Sequence, residues 1–74
     1  MPKLSPIRAK DLTSILEREG FQLIRQKGSH LRLERPDGRK TTIPIHAGEK
    51  VGVGLLRKIL RDANISRSQF EKLR

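Results

Sequence analysis

Gly28-Ser29-His30-Leu31-Arg32-Leu33-Glu34-Arg35-Pro36-Asp37-Gly38-Arg39-Lys40-Thr41-Thr42-Ile43-Pro44-Ile45-His46 is the stretch that decides the fold. Leu31 and Leu33 alternate with polar residues, and so do Thr41, Ile43 and Ile45. A period of two marks half-buried strands. Between the two runs, Pro36-Asp37-Gly38 suits a type I turn closed by a residue with positive φ. Parity then sets the loop length. With a three-residue loop, Arg35 faces Arg39, Leu33 faces Thr41 and Leu31 faces Ile43, so the odd positions share one apolar face. A two-residue loop would set apolar against polar residues and put the two apolar faces on opposite sides of the sheet.

The same parity sends His30, Arg32, Glu34, Lys40, Thr42 and His46 to the polar face. His30 opposes Pro44 and lies diagonal to His46, and diagonal neighbours have Cβ atoms about 7–8 Å apart. These are the two histidines of the chain. Both are expected at one end of the hairpin, beside the Lys27-Gly28-Ser29 turn.

Upstream, Ala9, Leu12, Ile15 and Leu16 form an apolar stripe at helical spacing, predicting a helix over about 8–19 that Gly20 ends in a left-handed conformation. Phe21 to Gln26 reads as the first strand. Ile24 breaks its alternation, so it is expected to be twisted or partly buried on both faces. Met1 to Ile7, with two prolines, reads as a loose lead-in. Downstream, Pro44 has no N–H for a ladder and marks the third strand as an edge. Residues 47–53 read as a loop. Leu55, Leu56, Ile59 and Leu60 predict a second helix over about 55–63, with Gly54 as N-cap and Asn64 closing it. Ser66-Arg67-Ser68-Gln69 is a capping box that opens a short last helix, with Ile65 and Phe70 as its hydrophobic staple. The expected architecture is a single α+β domain of order α-β-β-β-α. It has a three-stranded antiparallel sheet with helices on one face, plus the short C-terminal helix.

Composition bounds the function. Seventeen Lys and Arg against eight Asp and Glu give a net charge of +9 spread along 74 residues. A folded domain this basic points to a polyanion, most often nucleic acid. Phe21 and Phe70 are its two aromatics, and both fall in apolar patterns. Without an aromatic platform, readers that stack unpaired bases are disfavoured, which leaves recognition of phosphates and backbone shape. With no cysteine there is no disulfide or thiolate site. A His30–His46 metal site is not expected, because two ligands are too few. No secretory leader or membrane span is expected.

Gly20-Phe21, Gly28-Ser29-His30, Asp37-Gly38-Arg39, Ile43-Pro44-Ile45-His46, Leu56-Arg57-Lys58-Ile59-Leu60-Arg61-Asp62-Ala63 and Phe70, in this order and spacing, resemble the HicA toxin family over about residues 8–72. The resemblance implies a double-stranded-RNA-binding-like fold and a ribonuclease toxin that acts on mRNA. It also implies a HicB-type antitoxin as partner and a catalytic histidine at the Gly-Ser-His position, His30. One departure is Gly54-Leu55, where family members often open the second helix with Thr-Leu, so a hydroxyl is missing there.

The chemistry fits a histidine. RNA carries its own nucleophile, the 2′-OH, so cleavage needs a base, an acid and positive charge around the phosphorane. Histidine performs either proton transfer near neutral pH. His30 is the expected base or acid, with His46 as its complement. Lys27, Gly28, Ser29, Arg32, Lys40, Lys50, Arg57 and Lys58 are the expected RNA-binding residues. The N-terminus of the second helix should add its free N–H groups. No cofactor or metal is expected, and the free protein is expected to be a cytoplasmic monomer that joins its antitoxin in a hetero-oligomer. The alternatives are a non-catalytic RNA-binding module on the same fold, and a plain interaction protein whose basic face meets an acidic partner. RNA binding that weakens steeply with salt separates both RNA readings from the last.

Overall fold

The computed structural model describes residues 3–45 and 50–74. Its elements are β1 (Ile7–Arg8), α1 (Ala9–Arg18), β2 (Gln22–Lys27), β3 (His30–Glu34), β4 (Lys40–Pro44), β5 (Lys50–Val51), α2 (Val53–Ala63) and α3 (Arg67–Leu73). The central sheet is antiparallel in the order β2-β3-β4, with β4 at an edge as Pro44 requires. The fold is the expected α+β arrangement. It has one addition, a two-stranded sheet in which β1 pairs with β5, Ile7 against Val51 and Arg8 against Lys50. The lead-in and the loop after the hairpin therefore each contain a short strand. Two residue pairs are too brief a signal to read against the turn residues around them.

The hairpin has the register that parity demands. His30 faces Pro44, Leu31 faces Ile43, Arg32 faces Thr42, Leu33 faces Thr41 and Glu34 faces Lys40. Arg35 N–H donates to Arg39 O at 2.7 Å, Gly38 N–H donates to Arg35 O at 2.9 Å, and Gly38 has φ +98°. Leu31, Leu33, Thr41 and Ile43 are consequently buried against Leu12, Leu16, Leu56, Ile59, Leu60 and Phe70. Each large aliphatic residue so covered contributes on the order of 1.5–3 kcal/mol. The Thr41 hydroxyl, buried among them, donates to Asp62 Oδ2 at 3.1 Å, so its burial leaves no polar atom unpaired.

The turn also fastens both long helices. Arg35 Nε donates to Glu19 O at 2.8 Å at the end of α1, and Arg39 Nη1 donates to Ala63 O at 2.5 Å at the end of α2. Cations at helix C-termini meet the negative end of the dipole and satisfy carbonyls with no partner inside the helix. Asp37 lies between the two guanidiniums and accepts from Arg35 at 2.7 Å and from Arg39 Nε at 2.8 Å. At the end of α1, Gly20 has φ +96°, with Phe21 N–H donating to Leu16 O and Gly20 N–H to Glu17 O. This paired closure favours glycine. Asn64, at φ 55°, ends α2 in the same way through Ile65 N–H to Leu60 O. The capping box of α3 is complete, with Ser66 and Gln69 reciprocally bonded.

Three readings need correction. The N-cap of α2 is Gly52, not Gly54, and the helix starts at Val53, so the missing Thr-Leu hydroxyl falls inside the first turn. Leu55 is exposed on α2, and Ala63 joins Leu56, Ile59 and Leu60 on the buried side. The strand β2 is exposed at every residue, not partly buried on both faces. Its irregularity is a bulge between Leu23 and Arg25.

Two measurements check this account. Gly20→Ala forces a side chain into positive φ, at a cost of about 1–2 kcal/mol. It also brings Cβ to 2.9 Å from Arg35 Nε, disturbing the tie to Glu19. Thermal melts should show a lowered Tm, whereas an unchanged one contradicts the clamp. The second concerns pH. The Arg39 backbone N–H, opposed in part by desolvation and helped by the Arg35 and Arg39 side chains, lowers the Asp37 pKa from 3.8 to about 2. The folded-state pKa is depressed, so the contribution of Asp37 is complete above about pH 4 and is lost as pH falls toward 2. The Tm difference between wild type and Asp37→Asn should therefore shrink across that window, and a constant difference contradicts the assignment.

Candidate nucleic-acid interface

The face of the central sheet turned away from the helices carries the polar set. Its geometry follows from the bulge. Leu23 pairs with Leu33, but beyond it the register shifts, so Arg25 pairs with Arg32, Gln26 with Leu31 and Lys27 with His30. Strict alternation from Leu23 would have sent Arg25 and Lys27 to the helix-covered side. The extra residue at Ile24 returns both to the open face, as bulges beside functional sites do.

The open face is thus built in rows. The first holds Lys27, His30 and Pro44, and the second holds Arg25, Arg32 and Thr42. Two residues along a strand span about 7 Å, and adjacent strands lie about 4.8 Å apart. Ile24, Arg25, Lys27, His30, Arg32, Glu34 and Thr42 line a groove of about 360 Å³. Its three fixed cations outnumber its one carboxylate. Glu34 lies 3.6 Å from Arg32, with both side chains more than 40% exposed, so this pair contributes little. Arg25 directly opposite Arg32 is a like-charge cross-strand pair, which costs stability in a free protein. An anion placed over the pair reverses the sign of that effect.

His30 opens β3 immediately after the two-residue turn Gly28-Ser29 and is exposed. Gly28 has φ +57°, which suits the glycine-first position of a tight hairpin, and there is open space where its Cβ would stand. The Ser29 carbonyl accepts from Ile45 N–H at 2.5 Å, holding the end of β4 against the turn. His46 follows directly in the sequence and lies outside the described residues.

The remaining expected binding residues do not line this groove. Lys40 opposes Glu34 at the far end of the sheet, four residues from the His30 row, or about 13 Å. Lys58 sits on α2 and bonds Asp62 Oδ2 at 3.1 Å. Arg57 lines a groove with Leu4, Leu60, Arg61, Ile65 and Arg67. Lys50 lines another, formed by β1, α1 and β5. Conversely, Arg25 belongs to the His30 groove and was not among the residues read from the sequence. Its signal was the break of alternation at Ile24, which announces a bulge but not its direction.

What the groove can do chemically is hold a phosphate between Lys27, Arg25 and Arg32 with an imidazole beside it. Phe21 and Phe70 are buried in the core, so neither phenyl ring lies on this face. Among the described residues no group of three or more His, Cys, Asp or Glu side chains is placed to hold a metal ion. No helix among them is long and apolar enough to cross a membrane.

No match was found among curated proteins. A family model described as the HicA toxin of bacterial toxin-antitoxin matches residues 9–65. That span runs from the start of α1 through the hairpin and α2, including every residue of the His30 groove. The chain belongs to the HicA toxin family and is a toxin of a toxin-antitoxin system.

Proposed function

We propose that this toxin is an endoribonuclease that cleaves mRNA at the His30 groove without a metal ion, and that a HicB-type antitoxin neutralises it in the cytoplasm as one half of a type II pair. The observation that carries the reading is the juxtaposition of His30 with Lys27, and one row away with the like-charged Arg25 and Arg32. Such a cluster is unfavourable until an anion arrives. The imidazole beside it suits proton transfer.

In the proposed reaction the 2′-oxygen attacks the adjacent phosphorus, forming the O2′–P bond as the P–O5′ bond breaks. The products are a 2′,3′-cyclic phosphate and a free 5′-hydroxyl. One proton leaves the 2′-OH and one is delivered to the departing 5′-oxygen. His30 performs one of these transfers, and His46, the second histidine of the motif, performs the other. Lys27, Arg25 and Arg32 stabilise charge on the equatorial phosphoryl oxygens, where fixed cations act without reorganisation. Gly28 and Ser29 leave the turn open to the RNA backbone. Lys40, Lys50, Arg57 and Lys58 supply longer-range attraction from other parts of the surface.

The deciding experiment follows cleavage of a labelled mRNA in EDTA. His30→Ala should lower the rate by about 10²–10⁴, the usual contribution of a positioned acid or base, while leaving RNA affinity nearly intact. Equal cleavage by a folded His30→Ala protein contradicts the assignment. No cleavage by wild type, with RNA still bound, leaves a binding module. Arg25→Gln gives a separable readout. Removing one member of the like-charge pair should raise stability by about 0.2–1 kcal/mol. It should also reduce the salt dependence of RNA binding by about one counterion. A variant that is less stable, with an unchanged salt slope, rules out an anion site at this pair.

A further inference from the structure

The reaction above makes no use of Ile24 and Glu34, two of the side chains that line the His30 groove. Ile24 lies at the bulge of β2, between the Arg25–Arg32 and Leu23–Leu33 pairs, and is 51% exposed although it is aliphatic. Glu34 pairs with Gln22 beyond the bulge, at the end of the groove away from His30. Glu34 and His30 are four residues apart on β3, or about 13 Å. Across the ladder Glu34 faces Lys40, where an opposite-charge pair is expected. Its carboxylate instead approaches Arg32 inside the groove, Oε2 to Nε at 3.6 Å. At that distance the contact is an ion pair and not a hydrogen bond, so both carboxylate oxygens keep acceptor capacity. A carboxylate in this position repels a phosphate and favours a donor. Apart from the 2′-hydroxyls, the donors of RNA lie on its base edges.

We propose that Ile24 and Glu34 form a guanine subsite, which reads a base flanking the cleaved bond. The proposal rests on the reading of this groove as an RNA site. Guanine presents N1–H and the N2 amino group side by side on its Watson–Crick edge. These donate to the two carboxylate oxygens in parallel, as a guanidinium does. Adenine and cytosine present one amino group beside a ring nitrogen whose lone pair faces the carboxylate and repels it. Uracil presents one N–H between two carbonyls. Ile24 supplies an apolar surface for the face of the purine, as apolar side chains do in base pockets. Arg25 and Arg32 hold the adjoining phosphate. The groove then reads a base at one end and performs chemistry at the other.

The test measures fluorescence anisotropy of 2′-methoxy uridine hexamers in which one central residue is left as uridine or replaced by guanosine, inosine, adenosine or cytidine. Binding is read without cleavage. Wild type should bind the guanosine hexamer about tenfold more tightly than the uridine one. Inosine, which lacks the N2 amino group, should recover part of that preference. Glu34 has a side chain 43% exposed, so Glu34→Gln is expected to fold. It should reduce the guanosine preference to less than about twofold. Ile24→Ser should weaken the guanosine hexamer more than the uridine one, because the purine covers more apolar surface. A Glu34→Gln protein that keeps the full guanosine preference overturns the proposal, even where it binds every hexamer more tightly, since Glu34 would then serve Arg32 alone. So does a wild type without guanosine preference. Arg25→Gln separates the two readings. Binding without base preference that still weakens in Arg25→Gln removes the guanine subsite and leaves the groove as an RNA site. Binding indifferent to Arg25→Gln removes both.

Discussion

The pairing register of the β3–β4 hairpin is the constraint on which the rest of the molecule depends. A shift of one residue would turn the apolar side of one strand away from that of the other, exposing either Leu31 and Leu33 or Ile43 and setting polar residues against the core. The three-residue turn prevents that shift. It is itself held in place, because Arg35 and Arg39 reach the C-terminal carbonyls of α1 and α2 while Asp37 Oδ2 accepts from both guanidiniums and so bridges and orients them. Arg39 also lies over the Phe21 ring at 5.8 Å. The turn therefore fixes the sheet's register and the seat of both long helices at once. In a 74-residue chain without disulfides, such coupling compensates for a small core.

The open face shows the opposite balance. The bulge in β2 sacrifices regular pairing, and the face it creates sets Arg25 against Arg32 and Lys27 beside His30. None of these choices favours the free protein. A local rule broken in a domain with little stability to spare is where function is expected. The two like-charge cross-strand pairs, Arg25–Arg32 and Arg8–Lys50, both line grooves, and no residue is common to the two linings.

Much of this was legible in the residues. Parity alone chose the loop length, and the observed pairs from His30–Pro44 to Glu34–Lys40 follow it. The helix ends were legible because Gly20 and Asn64 carry their conformational preference in their chemistry. The β1–β5 pair was not, since two-residue strands carry no periodicity. The start of α2 was misplaced because Gly52 and Gly54 are equally good caps by type, and the choice between them is made by where the chain turns from β5. His30 and Arg32 were placed on one face by sequence, with Lys27 in the turn beside them, whereas the structure puts Lys27 at the end of β2 opposite His30. Arg25 was not placed on that face, because the direction of a bulge is decided by pairing with β3. Lys50, Arg57 and Lys58 were grouped with them by charge, and charge without geometry does not say which surface a lysine occupies.

The measurement that bears most directly on the central claim is an NMR titration of the free protein with a short RNA whose 2′-hydroxyls are replaced by 2′-methoxy groups, so that it binds without being cut. The account predicts that the largest backbone shifts fall on Arg25, Lys27, Gly28, His30 and Arg32, and that they fade as salt is raised. Shifts concentrated instead on α1 and α2, with β2 and β3 unmoved, would contradict it and move the site to the helical side of the domain.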